Sequence, residues 1–211
     1  MVATCSVSVV LTSGTLAGHP WVDMGNGIKW STTNLGTQTE TSCGFYYAWG
    51  ETQQKAPPYS WDTYEFKTQY FGYETLPSEN DAASVNWGGG WRMPTYQNFA
   101  WLLNSNNCIN SWVENYNGSG TNGRLFISLI NGNRLFFPET GYTTNMFPLT
   151  SNGIGLYWSS TPYGEGLYSN NQYAWSLHFY HNSDGSGNIL LDYDSYPRYT
   201  GIAIRPVADA D

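Results

Sequence analysis

Trp87-Gly88-Gly89-Gly90-Trp91-Arg92-Met93-Pro94-Thr95 is the stretch on which the reading of this 211-residue chain turns. Three successive glycines stop a helix, because the backbone gains freedom there and loses side-chain support. A helix is expected before them. Glu79-Asn80-Asp81-Ala82-Ala83-Ser84-Val85 carries acid residues in its first turn and two alanines, which predicts a short one. A second, clearer helix follows Pro94. Thr95 can cap it, and Phe99, Leu102 and Leu103 fall on one stripe with Trp101 beside it. The polar run Asn104-Ser105-Asn106-Asn107 ends it.

Outward from this pair of helices the pattern is strand and turn. Toward the N-terminus, Ala3, Cys5, Val7, Val9 and Leu11 alternate with Thr4, Ser6 and Ser8, predicting a strand within residues 1–18. Short aromatic strands are expected over residues 28–31 and 45–49. Residues 52–78 hold Pro57-Pro58 and scattered tyrosines with little periodicity, and read as a long ordered excursion. Toward the C-terminus, residues 124–130 and 134–138 read as a hairpin joined across Asn131-Gly132-Asn133. Tyr173, Trp175, Leu177 and Phe179 alternate with Ala174, Ser176, His178 and Tyr180. Ile189, Leu191 and Tyr193 alternate with Leu190, Asp192 and Asp194, and Ile202 and Ile204 with Ala203 and Arg205. These periods put Trp158, Trp175, Leu177, Phe179, Ile202 and Ile204 inward. No linker, boundary or repeat interrupts the chain, so residues 1–211 are expected to form one α+β domain with two helices and a strand-rich C-terminal half.

Composition excludes several classes. Charged residues make up 11% of the chain, against roughly 25% in an ordinary soluble domain. Aromatics reach 17%, as 17 Tyr, 10 Trp and 9 Phe. Such a chain is too rich in rings for disorder, and too poor in Ala, Glu, Lys and Leu for a coiled coil. A net charge of −8 argues against a nucleic-acid partner. No apolar run approaches the ~20 residues of a membrane span. Cys5, Cys43 and Cys108 form no CxxC or zinc pattern, leaving one disulfide with a free thiol, or three free thiols, as the options. The opening residues lack the basic and apolar regions of a secretory leader.

Few residues form a chemical motif. His178-Phe179-Tyr180-His181 resembles a metal pair, but residues three apart on a strand point to opposite faces. With Asp192 these histidines give the alternative enzymatic expectation, a metal-assisted hydrolase. Asp192 and Asp194 share a strand face, and Asn182-Ser183-Asp184-Gly185-Ser186-Gly187-Asn188 offers oxygens, but its spacing is not that of an EF-hand. A solvated hairpin loop explains it more simply. Phosphate loops, dinucleotide fingerprints, zincin helices and nucleophile elbows are all absent from the sequence, so no cofactor is expected.

What stands out is distribution. More than half of the residues from Ser151 to Arg205 are Tyr, Ser, Asn, Gly, Asp, Thr or His, and none is Lys. This is the palette of a paratope, in which Tyr supplies amphipathic area and the small polar residues adaptable hydrogen bonds. The expected face comprises Tyr163, Tyr168, Asn170, Ser176, His178, Tyr180, Asn182, Asp192, Asp194, Tyr196 and Tyr199.

The Trp87–Thr95 stretch also resembles the W-R-[LM]-P-T signature of C-type-lectin-fold proteins. These include the formylglycine-generating-enzyme-like group and the Fibrobacter succinogenes major paralogous domain. Further segments are similar to the second family: Trp21-Val22-Asp23-Met24-Gly25 with Ile28-Lys29-Trp30, Tyr47-Ala48-Trp49-Gly50-Glu51-Thr52 and Asp81-Ala82-Ala83-Ser84-Val85-Asn86-Trp87-Gly88. Tyr157-Trp158-Ser159-Ser160 and Ile204-Arg205-Pro206-Val207 complete an ordered set running from residue 21 to residue 207. The resemblance implies a C-type-lectin-like fold, with two helices flanking small antiparallel sheets. Relatives on this scaffold include variable proteins of diversity-generating retroelements, which implies a variable binding region over residues 151–207. In that setting the chain would be a non-enzymatic recognition domain on a bacterial surface or phage tail, taking a protein or carbohydrate ligand. A structural adhesin or assembly module is the remaining alternative. Formylglycine-generating enzymes rely on a late cysteine pair, and the last cysteine here is Cys108. The Glu-Pro-Asn, Gln-Pro-Asp and Trp-Asn-Asp motifs of calcium-dependent lectins are missing as well.

Overall fold

Residues 201–208 draw the two ends of the chain into one structure. The computed structural model describes residues 12–69, 71, 74–144, 148–149, 153–163, 172–192 and 196–210. The strand expected over residues 3–11 lies outside them. β1 (Ser13–Leu16), β2 (His19–Asp23) and β3 (Lys29–Ser31) form a sheet that is completed by β12 (Val207–Ala208), in the order β1-β2-β3-β12. α1 (Ala82–Trp87) and α2 (Tyr96–Leu103) follow, then a three-stranded sheet of β4 (Cys108–Val113), β5 (Gly123–Ser128) and β6 (Arg134–Pro138). β7 (Tyr142–Thr143) pairs with β8 (Pro148–Leu149). A third sheet holds β9 (Ile154–Pro162), β10 (Ala174–His181) and β11 (Gly187–Asp192), with β10 in the centre. Every pairing among these named strands is antiparallel. The architecture is α+β, with two α-helices and small antiparallel sheets among the described residues.

The segment joining the helices behaves as its sequence predicts. Asp81 caps α1 by accepting the Ser84 amide at 2.9 Å, and its other oxygen takes the Met93 amide at 2.8 Å. One buried carboxylate therefore fixes both sides of the glycine turn. Gly88, Gly89 and Gly90 have φ of 59°, 59° and 87°, a left-handed run in which side chains are strained. A Cβ on Gly89 would also sit 2.6 Å from that of Ala17. Thr95 and Asn98 close a capping box on α2, and Phe99 and Leu102 face the core.

Two expectations shift in detail. Residues 45–49 form no strand; only Tyr47 makes a bridge, to Ile202. Gly44 and Gly50, at φ of 70° and 82°, turn the chain at both ends of this segment and leave no length for a ladder. The hairpin strand ends at Ser128 rather than at residue 130. The Ser128 hydroxyl accepts the amides of Ile130 and Asn131 and bends the chain there, so Leu129 and Ile130 project into solvent. Cys43 and Cys108 are free thiols; Cys5 lies outside the described residues.

Two apolar clusters flank the third sheet. One joins Tyr157, Leu177 and Phe179 to Phe99 and Leu102 of α2, Phe126 and Phe137 of the middle sheet, and Trp30. The other joins Leu156, Trp158 and Ala174 to Tyr47, Trp49, Ala83, Met93, Ile202 and Ile204. Directly opposed residues of antiparallel strands share a face, so Leu177–Tyr157 and His178–Leu156 mark the two sides. Gly155 lies opposite Phe179, where a Cβ would fall 2.0 Å from the ring. The sheet is thus buried on both faces along β9. Alternation there separates two cores, rather than core from water.

The capping carboxylate and the buried phenols each generate a prediction. Asp81→Ala removes the acceptor of two amides and should lower stability by about 2–3 kcal/mol. Asp81→Asn, which keeps one acceptor oxygen, should cost less; urea unfolding with an unchanged m-value checks both. Burial pushes the Tyr47 phenol up to about 12 and also raises Tyr46, Tyr64 and Tyr157. A raised folded-state pKa favours the folded state below the unfolded value of about 10 and loses that contribution as pH rises. Stability should therefore fall between pH about 10 and about 12. Phenolate absorbance should show exposed tyrosines titrating first and the buried ones only as the chain unfolds.

Candidate functional site

Toward β11, the face of the third sheet that carries Trp158 and Leu156 leaves its apolar cover. His178 lies opposite Leu156 on one side and Leu190 on the other, and Tyr180 lies opposite Ile154 and Asn188. Both side chains are half-buried. Tyr196 reaches over this edge and meets the His178 ring edge-on at 5.5 Å and 84°. Tyr142 of β7 meets Tyr196 at 4.8 Å and 63°, and Tyr180 lies 5.9 Å from His178. His178 Nδ1 is 3.4 Å from Asp192 Oδ2, so the carboxylate orients the imidazole. Burial, with smaller contributions from Tyr142 and Asp192, pushes the Tyr196 phenol up to about 12. It stays a neutral hydroxyl, able to donate and accept.

This patch gathers some of the residues expected at the binding face and not others. His178, Tyr180, Asp192 and Tyr196 come together. Ser176 and Asp192 were expected to face outward, yet both are buried, at 2% and 7% exposure. The second apolar cluster and Tyr196 cover that side, and the Ser176 hydroxyl donates to the Asp192 carbonyl at 3.3 Å. Asn182 is exposed but sits in the β10–β11 turn, where its amide donates to Ser186 Oγ at 2.9 Å. Tyr163 packs elsewhere, edge-on to Trp175 at 5.6 Å. Trp175, expected inward, is only half-buried and also meets Tyr96 at the start of α2, at 4.6 Å. A register shift between Ala174 and Ser176 accompanies this departure. Tyr199 packs on the excursion, 6.4 Å from Trp61. Tyr168, Asn170 and Asp194 lie outside the described residues.

The histidine pair is divided by the strand, as its spacing predicts. While His178 faces Tyr196, His181 lies flat on Trp112 at 4.7 Å and 2°. His178, His181 and Asp192 therefore do not converge. Among the described residues no three His, Cys, Asp or Glu side chains are placed to hold a metal ion. The hairpin between the histidines and Asp192 is a solvated turn closed by Asn182 and Ser186. Burial raises the Cys43 thiol and pushes Cys108 up to about 11, so neither resembles an activated nucleophile.

Neither Tyr142 nor His19 stands out in the sequence. Tyr142 reaches the patch through a two-residue strand with no periodicity to read. His19 stacks on Trp87 at 3.6 Å and 8°, pinning the first hairpin to the glycine turn. Its one local signal was a position among Trp-rich motifs.

Asp192 links the patch to the sheet. Asp192→Ala should destabilise the fold by roughly 1–3 kcal/mol, and His178→Ala by less. A double-mutant cycle in urea should return a coupling of about 0.5–1.5 kcal/mol for the pair. Compared with protein-family models, curated proteins and solved structures, the chain matches none.

Proposed function

We propose that this chain is a ligand-recognition domain on a C-type-lectin-like scaffold, and that the patch of His178, Tyr180, Tyr196 and Tyr142 contacts the ligand. Support comes from this cluster of half-buried polar rings, set over the central strand β10 on one face of a sheet whose other face is locked in a core. Such rings offer contact area with little rotamer entropy to lose, and their hydroxyl and imidazole groups supply directional bonds. A protein or a carbohydrate on a cell surface suits that chemistry. The setting on this reading is a bacterial surface or phage tail. Retroelement diversification of residues 151–207 belongs to the same proposal. Trp158 is in keeping with a constant position, since it is fully buried and its indole N–H donates to the Tyr47 carbonyl at 2.9 Å.

Asp192 and Ser176 are structural, so the test spares them. The triple variant His178→Ala, Tyr180→Ala, Tyr196→Phe removes two rings and a hydroxyl while keeping the Tyr196 packing. Screened against arrays of bacterial surface glycans and outer-surface proteins, the parent should capture a ligand. The variant should lose at least tenfold in affinity, with its melting temperature shifted by no more than a few degrees. A variant that binds like the parent would place the ligand elsewhere.

A further inference from the structure

A cleft of about 450 Å³ opens at the turn end of β10–β11, beside the middle sheet. Trp112, Glu114, Asn122, Glu139, His181 and Asn182 line it. His181 belongs to the other face of β10 from His178, so this cleft is separate from the ring patch and does not depend on its function. The aromatic wall is fixed: His181 lies flat on Trp112, and Phe179 meets the same indole at 6.3 Å and 68°. The carboxylate wall is fixed too. Glu139 Oε2 accepts the Gly153 amide at 2.9 Å, and Oε1 faces the Asn122 amide at 3.5 Å.

The charge is not balanced. Glu139 is half-buried, its donors are neutral, and among the described residues neither it nor Glu114 makes an ion pair. Among the described residues no lysine or arginine lines the cleft. A partly desolvated carboxylate beside an aromatic face favours a cation, through Coulomb attraction in a reduced dielectric and through the ring quadrupole. Phosphate and carboxylate ligands are disfavoured by the same charges. We infer that this cleft is a second binding site, for the ammonium or guanidinium group of a lysine or arginine on a partner protein.

Titration calorimetry, with the Trp112 indole proton followed by NMR, tests this on the whole chain. The probes are Nα-acetyl-lysinamide, its Nε-acetylated neutral analogue, and spermidine as a free polyamine. Nα-acetyl-lysinamide should bind saturably and shift Trp112, weakening as salt is raised. Glu139→Gln keeps an acceptor for Gly153 and should cost at least tenfold in affinity; an unchanged urea midpoint would show that the fold is intact. Equal binding of the neutral analogue, an unaffected Glu139→Gln variant, or no Trp112 shift at saturating probe would overturn the site. Spermidine binding tenfold or more tighter than Nα-acetyl-lysinamide would overturn the assignment to a protein side chain.

Discussion

The backbone of residues 201–208 is the constraint on which the rest of the molecule depends. Its backbone bonds reach several separate parts of the chain. Gly201 exchanges bonds with Thr143, Ile202 with Tyr47, and Val207 with Arg92. The carbonyls of Ala203, Ile204 and Pro206 accept the amides of Trp158, Leu35 and Ser31. All eight residues are buried, so any of these bonds broken without replacement would leave a desolvated group unpaired. A chain with 11% charged residues has few ion pairs with which to brace distant segments. Backbone pairing and ring-borne N–H groups brace them instead.

Side chains along the same path reinforce the ties. Trp49 and Trp158 clasp each other's segments: the Trp49 indole donates to the Ser159 carbonyl at 2.8 Å, and Trp158 donates to Tyr47. Arg198 lies over the Trp49 ring at 4.2 Å, and Arg205 over Phe137 at 4.9 Å. Both guanidiniums are buried, with no salt bridge to a carboxylate among the described residues, and burial brings Arg198 down to about 10. They bond to the Tyr173 carbonyl, the Ser31 carbonyl and the Asn34 amide oxygen. The fully buried tryptophans, Trp30, Trp49, Trp91 and Trp158, and the late arginines thus belong to the frame. The tyrosines divide between frame and surface, with Tyr157 wholly buried and Tyr180 half-exposed.

How much was legible in the sequence follows from how local each feature is. The helices, the Thr95 cap and the glycine stop depend on neighbours a few residues apart, and their residue types announced them. The hairpin across Asn131-Gly132-Asn133 was equally local. The proposed binding face is harder to read, because period-two alternation says which residues share a side and not what covers that side. Ser176 and Asp192 alternate like exposed residues, but lie beneath a second core built from residues 35–49 and 202–204. Tyr163 and Tyr199 have the same composition signal as Tyr196, yet pack against Trp175 and Trp61 through contacts set by tertiary structure alone.

On the proposed function, a rigid frame and a recognition surface are separable on one sheet. Native-state hydrogen exchange at the Ile202 and Val207 amides, compared between the parent and the His178→Ala, Tyr180→Ala, Tyr196→Phe variant, tests it most directly. Both amides donate within the tie described above, to Tyr47 and Arg92. They should exchange only through global unfolding, with protection in the variant matching its urea-derived stability and close to the parent's. Faster exchange of these amides in the variant, at free energies well below its global stability, would mean that the rings hold the frame together and would contradict the account.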